Sequence, residues 1–428
     1  MKNNSLFQIA VLALFGFFAV VAVFFFSLQK NSSEVTAQIQ VWGTEDQAFM
    51  NSLLGEFAEN QIAKITYVQK PASSFNQELV EAIAEGRGPD VIILDHRDIL
   101  RHKAKISLFP FDSLSERDFR DAFLDGADVF WTPEGYIGLP FSIDPLVMYW
   151  NKSLFLNEGV IRPPSYWDEF ATLAIKITKK DQSFTIEDSF VALGEYSNIE
   201  NAKGIISILI LQAGSPIISY DENGVLRNYL NLQNKEGLRP ADVAFRFYTE
   251  FADPSKSTYS WNRSLPSSQR MFTAGDLALY FGFASEVEAI RNANPNLNFD
   301  VAIVPQIRNT VEKMTYGNFK AVAVLKSSQN ISAAYGVARL FASSNAMEFL
   351  ALNSALPPVG KKVIENKPLD PYKVVFYDSA LIARAWLDPD KSLTDTLFSD
   401  TVGDITSGRL RLNESVNRAS DRLESLLR

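Results

Sequence analysis

The chain has 428 residues, 46% of them hydrophobic and 21% charged, with a formal net charge of −9. This composition excludes whole-chain disorder, and the acidic balance argues against a nucleic-acid binder that works through a basic surface. Cysteine is absent, which excludes disulfides, thiolate metal sites, a cysteine nucleophile and a lipid carried on cysteine; His96 and His102, with no glutamate between them, cannot form an HExxH metal site.

Residues 3–29 carry no charge, and 9–28 are apolar except for Gly16 and Ser27. As a helix this stretch would measure about 30 Å, the thickness of a bilayer core. Residues 1–30 are therefore expected to be a membrane anchor, with 31–37 a polar linker. The alternative is a signal peptide cut after Ala37, where Val35-Thr36-Ala37 has the small-residue pattern.

From residue 37 the hydrophobic pattern alternates between strand and helix. A strand is predicted over 37–41, ending at Trp42-Gly43-Thr44. A helix over 47–60 has Phe49, Leu53, Leu54 and Phe57 on one face, and a second strand spans 62–68. A helix over 78–85 sets Leu79 and Ile83 one turn apart, and Gly86 suits its C-terminal stop. Pro89-Asp90 then opens Val91-Ile92-Ile93-Leu94, a short apolar run suited to a central parallel strand covered on both faces. This order is the signature of a doubly wound sheet, whose ligands bind beyond the carboxyl ends of the strands. Trp42 after the first strand and Asp95 after the third are thus ligand candidates. The competing roles are a packing tryptophan and an N-cap for a helix over 97–103, on whose surface His96 and His102 are expected.

Further along, a helix is predicted over 198–211, stopped by Gly214, and a short one over 267–272, stopped by Gly275. A strand over 277–281, a turn at Gly282-Phe283 and a helix over 284–291 follow. Strands are expected over 299–304 and 321–325. Helical patterning over 331–352 breaks at Leu356-Pro357-Pro358. A last helix from residue 410 aligns Leu412, Val416, Ala419, Leu423 and Leu426.

Several stretches carry a family resemblance. Ile137-Gly138-Leu139-Pro140 leads into Val147-Met148-Tyr149-Trp150-Asn151-Lys152 and then Pro163-Pro164-Ser165-Tyr166-Trp167-Asp168-Glu169-Phe170. Gly88-Pro89-Asp90-Val91, Met271-Phe272 through Gly275 to Leu279, and Ser354-Ala355-Leu356-Pro357 add to it. Together, over roughly residues 38–428, they resemble the bacterial extracellular solute-binding proteins of ABC importers, in particular the sugar-binding group like maltose-binding protein. Trp150 replaces the family's tyrosine before Asn-Lys. Tyr166 replaces its capping threonine, a role that Ser165 with Asp168 could take over. Many members are anchored through a lipidated cysteine; the apolar N-terminus is the expected replacement here.

The resemblance implies an α/β, two-lobed periplasmic-binding-protein-like fold of type II, each lobe a doubly wound sheet, behind the N-terminal transmembrane helix. The lobes would be 38–143 with 319–360 and 144–318 with 361–428, joined by crossings near 139–145 and 316–322. A solute held in the cleft would meet carboxylates and amides at its hydroxyls and aromatic rings on its faces. The candidates are Asp144 and Asn318 at the crossings, Trp261 and Arg263 in a loop, and Trp386 in the second lobe. Trp131, Trp150 and Trp167 are expected in the core. The implied function is capture of a sugar or oligosaccharide outside the cell and delivery to ABC permease subunits, without covalent chemistry and without a cofactor. The expected partners are that solute, the permease and the membrane, not nucleic acid, and the expected state is a monomer. Alternatives are a non-sugar solute, a tethered sensor or structural protein, and an anchored glycosidase using paired carboxylates.

Overall fold

The computed structural model describes residues 37–57, 63–234 and 237–428. The expected anchor over 9–28 lies outside them. Among the described residues no helix is long and apolar enough to cross a membrane.

Strand β1 (Gln38–Gly43) buries Ile39, Val41 and Trp42. Helix α1 (Gln47–Glu56) starts where the Asp46 carboxylate accepts the Phe49 N–H at 2.9 Å, satisfying one of the donors a helix start leaves free. Strand β2 (Lys64–Gln69) lies parallel to β1. Helix α2 (Phe75–Ala84) buries Phe75, Leu79 and Ala82. Gly86 adopts φ 69°, which lets the Arg87 N–H reach back to the Ala82 carbonyl at 2.8 Å. Strand β3 (Val91–Asp95) has its four aliphatic side chains buried on both faces. Each is worth roughly 1.5–3 kcal/mol of transfer free energy.

Two long strands carry the fold from one lobe to the other. Strand β4 (Leu139–Asn151) changes partners along its length. Leu139–Pro145 pairs antiparallel with a later strand, β8 (Thr315–Leu325). Leu146–Trp150 pairs with β6 (Leu277–Phe283), and Met148–Asn151 pairs on its other edge with β7 (Phe299–Ala302). Strand β8 (Thr315–Leu325) continues from β4 onto β3. With β5 (Ile186–Val191) outside β6, the ladder runs β2–β1–β3–β8–β4–β6–β5 through both lobes.

Helices α3 (Ile331–Phe341) and α4 (Ser344–Asn353) pack beside the β1–β3 half, against α1, β1, β3, β4 and β8. The last helices, α5 (Lys391–Thr406) and α6 (Leu412–Ser425), pack on each other and on the helix Pro240–Glu250 of the other half.

Four expectations need correction. Gly282-Phe283 is not a turn but the end of β6, held by pairing to Val147 and Leu146. The pattern over 331–352 is two helices, the second capped by Ser343 accepting the Ala346 N–H. Ser165 does not cap: the turn Trp167–Glu169 begins at Tyr166 with no side-chain cap, and Arg308 grips Asp168 at 2.7 and 2.9 Å. His96 and His102 are fully buried rather than on the surface: His96 packs against β8, and His102 Nε2 meets Asn76 Oδ1 at 2.7 Å. Phe319 N–H donates to His96 Nδ1 at 3.2 Å, so the ring is neutral with its proton on Nε2, facing Tyr316 Oη at 3.1 Å. Burial pushes the His96 and His102 pKa values down to about 4.

Candidate functional site

The carboxyl ends of β1 and β3, the floor made by β4 and β8, and two points on the second lobe enclose a cavity of about 470 Å³. Strand periodicity builds the floor. Asp144 lies directly opposite Asn318 across the antiparallel ladder, and Ser142 directly opposite Lys320. Alternate residues face the same side, so these four present their polar groups together. Thr44 and Glu45, following β1, and Asp95, ending β3, form one wall. Ser285, just past β6, and Lys391, at the start of α5, come from the other lobe.

The first-lobe wall is strongly ionic. Lys320 Nζ lies 2.7 Å from Glu45 and donates to Thr44 Oγ1 at 3.2 Å. Burial alone would lower the Lys320 pKa, but the Glu45 carboxylate outweighs it and raises it. Asp95 is half of a bidentate pair, with Arg97 Nε and Nη2 at 2.8 and 2.7 Å, and it accepts the Arg97 backbone N–H at 2.9 Å. Burial would raise the Asp95 pKa; the Arg97 guanidinium more than reverses that and holds it well below the usual carboxylate range. Asp95 is therefore both N-cap and cavity wall.

Asp144 is treated differently. It accepts the Ser285 N–H at 3.0 Å and the Ser285 hydroxyl at 2.6 Å. Burial pushes its pKa up to about 6. Two ion pairs span the lobes beside the cavity: Lys391 with Asp98 at 3.3 Å and Arg101 with Asp390 at 3.5 Å. Among the described residues no group of three or more His, Asp or Glu side chains is disposed to hold a metal ion.

Of the residues singled out from sequence, the cavity brings together Asp95, Asp144 and Asn318. It does not include the others. Trp42 is buried beside it, its Nε1–H donating to Gln40 Oε1 at 2.9 Å and its ring under the Lys70 ammonium. Trp261 is fully enclosed, donating to Asn198 Oδ1 at 3.1 Å. Arg263 points outward to Glu195 at 3.4 Å. Trp386 is buried and donates to Ser207 Oγ at 3.0 Å. Each indole N–H thus has a protein partner, as a buried tryptophan requires. Trp150 and Trp167 are buried as core residues, whereas Trp131 is half-buried with its Nε1–H on Glu116.

Sequence reasoning passed over Glu45, Arg97, Lys320, Ser285 and Lys391. A period-two reading from Asn318 points to Lys320, and the strand-end argument that selected Trp42 covers Glu45 equally. Ser285 and Lys391 carry no such signal; only the approach of the second lobe places them.

A second cavity, of about 600 Å³, lies away from the crossing strands, between residues 116–131 and residues of the other lobe. Trp131, Tyr220 and Trp386 line it with Glu116, Glu312 and Arg384.

The family model of the bacterial extracellular solute-binding proteins matches residues 42–351. The chain belongs to this family. A binding protein of Brucella abortus is 21% identical over 405 residues, spanning 92% of each chain. A galactooligosaccharide-binding protein of Bacillus subtilis is 21% identical over 309 residues, 71% of this chain and 68% of its own. Among solved structures, the cyclic α-maltosyl-1,6-maltose binding protein from Arthrobacter globiformis is similar with a TM-score of 0.72 at 17% identity, over 92% of this chain and 99% of its own. A cyclo/maltodextrin-binding protein complexed with maltotetraose gives a TM-score of 0.72 at 16% identity, over 92% and 98%. These solute-binding proteins share the α/β two-lobed fold of this chain.

Proposed function

We propose that this protein captures a sugar or oligosaccharide in the cavity on the Asp144 face of the crossing strands and delivers it to an ABC permease. The observation that carries the reading is where the polar groups stand: carboxylates, an amide and hydroxyls from both lobes converge beyond the carboxyl ends of β1 and β3. The solutes named for the galactooligosaccharide-binding and maltodextrin-binding relatives favour the carbohydrate class.

In this reading the lobes are 38–143 with 319–360 and 144–318 with 361–428, and they close about β4 and β8. Closure brings Ser285 and Lys391 against the first-lobe wall. It excludes water, which strengthens each hydrogen bond to the solute. Asp95, Asp144 and Asn318 are proposed ligand contacts. Trp42 backs the wall, and Trp261, Arg263 and Trp386 hold the surrounding structure. No bond of the solute is broken, so an oligosaccharide should be recovered intact after incubation. The apolar stretch over 9–28 is proposed to anchor the protein to the outer face of the cytoplasmic membrane. N-terminal sequencing of exported protein should then find no new terminus at Gln38.

Thermal-shift screening of a chain starting at Thr36 tests the main reading. A sugar panel should raise the melting temperature. Shifts confined to polyamines or amino acids would remove the carbohydrate assignment.

A further inference from the structure

Three of the five carboxylates in the cavity wall are balanced by a cation. Glu45 holds Lys320 at 2.7 Å, Asp95 holds Arg97 at 2.7 Å, and Asp98 holds Lys391 at 3.3 Å. Asp46 is occupied in capping α1. Asp144 has no cation at ion-pair distance among the described residues; its two hydrogen bonds both come from Ser285. A carboxylate offers about four acceptor positions, so about two remain open. Directly opposite, Asn318 Oδ1 is shielded from solvent and has no hydrogen-bond partner. Side chains opposed in an antiparallel ladder start about 4.5–5.5 Å apart, so a small group bound to Asp144 stands beside the Asn318 amide. Lys320, the next residue along on the same face, is committed to Glu45 and Thr44. The charge left without a cation on this floor is therefore negative.

We propose that Asp144 and Asn318 form a subsite for a protonated amino group, so that the solute is an amino-bearing sugar. The proposal rests on the carbohydrate reading and narrows it. An ammonium brings three donors and a compensating charge, whereas a hydroxyl brings one donor and no charge. Closing the lobes strips water from Asp144, and a buried carboxylate left unpaired is costly. A cationic group removes that cost as it binds.

Titration calorimetry of the chain at pH 7 tests this with glucosamine against glucose, and with the β-1,4-linked glucosamine disaccharide against cellobiose. The amine should bind at least tenfold more tightly than its hydroxyl counterpart. Asp144→Asn should bring the two to within about threefold, through loss of affinity for the amine, and Asn318→Ala should weaken amine binding severalfold. Circular dichroism of both variants reports that they are folded. Equal or tighter binding of glucose or cellobiose by the wild type overturns the amino-group subsite while leaving sugar capture standing. Binding of 1,4-diaminobutane but of no sugar, lost in Asp144→Asn, supports the cation subsite and removes the carbohydrate reading. Binding of none of these probes overturns the proposal.

Discussion

The two cavities between the lobes differ in a way that size does not reveal. The larger, about 600 Å³, has the aromatic rings that sugars stack on: Trp131, Tyr220 and Trp386. Its polar groups are nevertheless engaged with one another. Trp131 donates to Glu116, Arg384 pairs with Glu312 at 2.7 Å, and Trp386 donates to Ser207. The smaller, about 470 Å³, has no tryptophan in its wall but leaves Asp144 without a cation and Asn318 Oδ1 without a donor. Buried polar groups in folded proteins are nearly always paired, so Asp144 and Asn318, facing each other across the two crossing strands, stand out from the rest of the wall.

The contrast can be broken in four places. The largest effect is expected at Trp386, where Trp386→Ala should destabilise the fold by about 3–5 kcal/mol in chemical denaturation, because a fully packed indole is lost. Solute affinity of the folded variant should stay within about tenfold of wild type. Next, Asp144→Ala should weaken solute binding on the order of a hundredfold by calorimetry, about 2.7 kcal/mol. Trp131→Ala should change it by less than about tenfold. Equal losses from these two would move the solute to the other cavity.

The third prediction is a pH profile. The Asp144 pKa rises on folding from 3.8 to about 6, so the folded state favours the proton. Below pH 3.8 the residue is neutral in both states and costs nothing. As the pH climbs to about 6 and beyond, stability falls by about 1–3 kcal/mol, allowing for partial exposure. Asp144→Asn should abolish that component and be the more stable protein at pH 7, as read from urea midpoints. His96 and His102 act in the opposite sense: their pKa values fall from 6.5 to about 4, so acidification through that window favours the unfolded chain. The wild-type-minus-variant difference isolates Asp144 from them. The smallest effect is expected at Lys391. Lys391→Met removes one partly exposed interlobe ion pair and should alter stability by under about 1 kcal/mol. It should increase the unliganded radius of gyration in small-angle scattering, because the Lys391–Asp98 contact spans the lobes.

Much of the fold was legible because burial leaves a local trace. Alternation marked β1, the apolar tetrad marked β3, and Gly86, Gly214 and Gly275 marked helix ends that the structure sets at positive φ. Pro371–Leu381 and α5 escaped the reading because their apolar residues do not gather on one stripe. Helix α5 even buries Thr394, Thr401 and Asp404. The histidines misled for the same reason in reverse: polar residues read as surface, yet His96 is enclosed by two hydrogen-bond partners from β8. At the site, strand position led to Asp95, Asp144 and Asn318. Residue type led to Trp261 and Trp386, which the core had already enclosed.

The sequence alone determined most strands and helices of the β1–β3 half, the two crossing segments and the family, because these depend on periodicity and on short motifs read along one dimension. It also determined that Asp144 and Asn318 stand near crossings. The tertiary structure decided that they stand opposite each other, that Glu45, Arg97 and Lys391 pair with Lys320, Asp95 and Asp98, and that Asp144 is left without a cation. Pairing is a property of distance between segments far apart in the chain, and only the folded arrangement of β4, β8, β6 and α5 sets those distances.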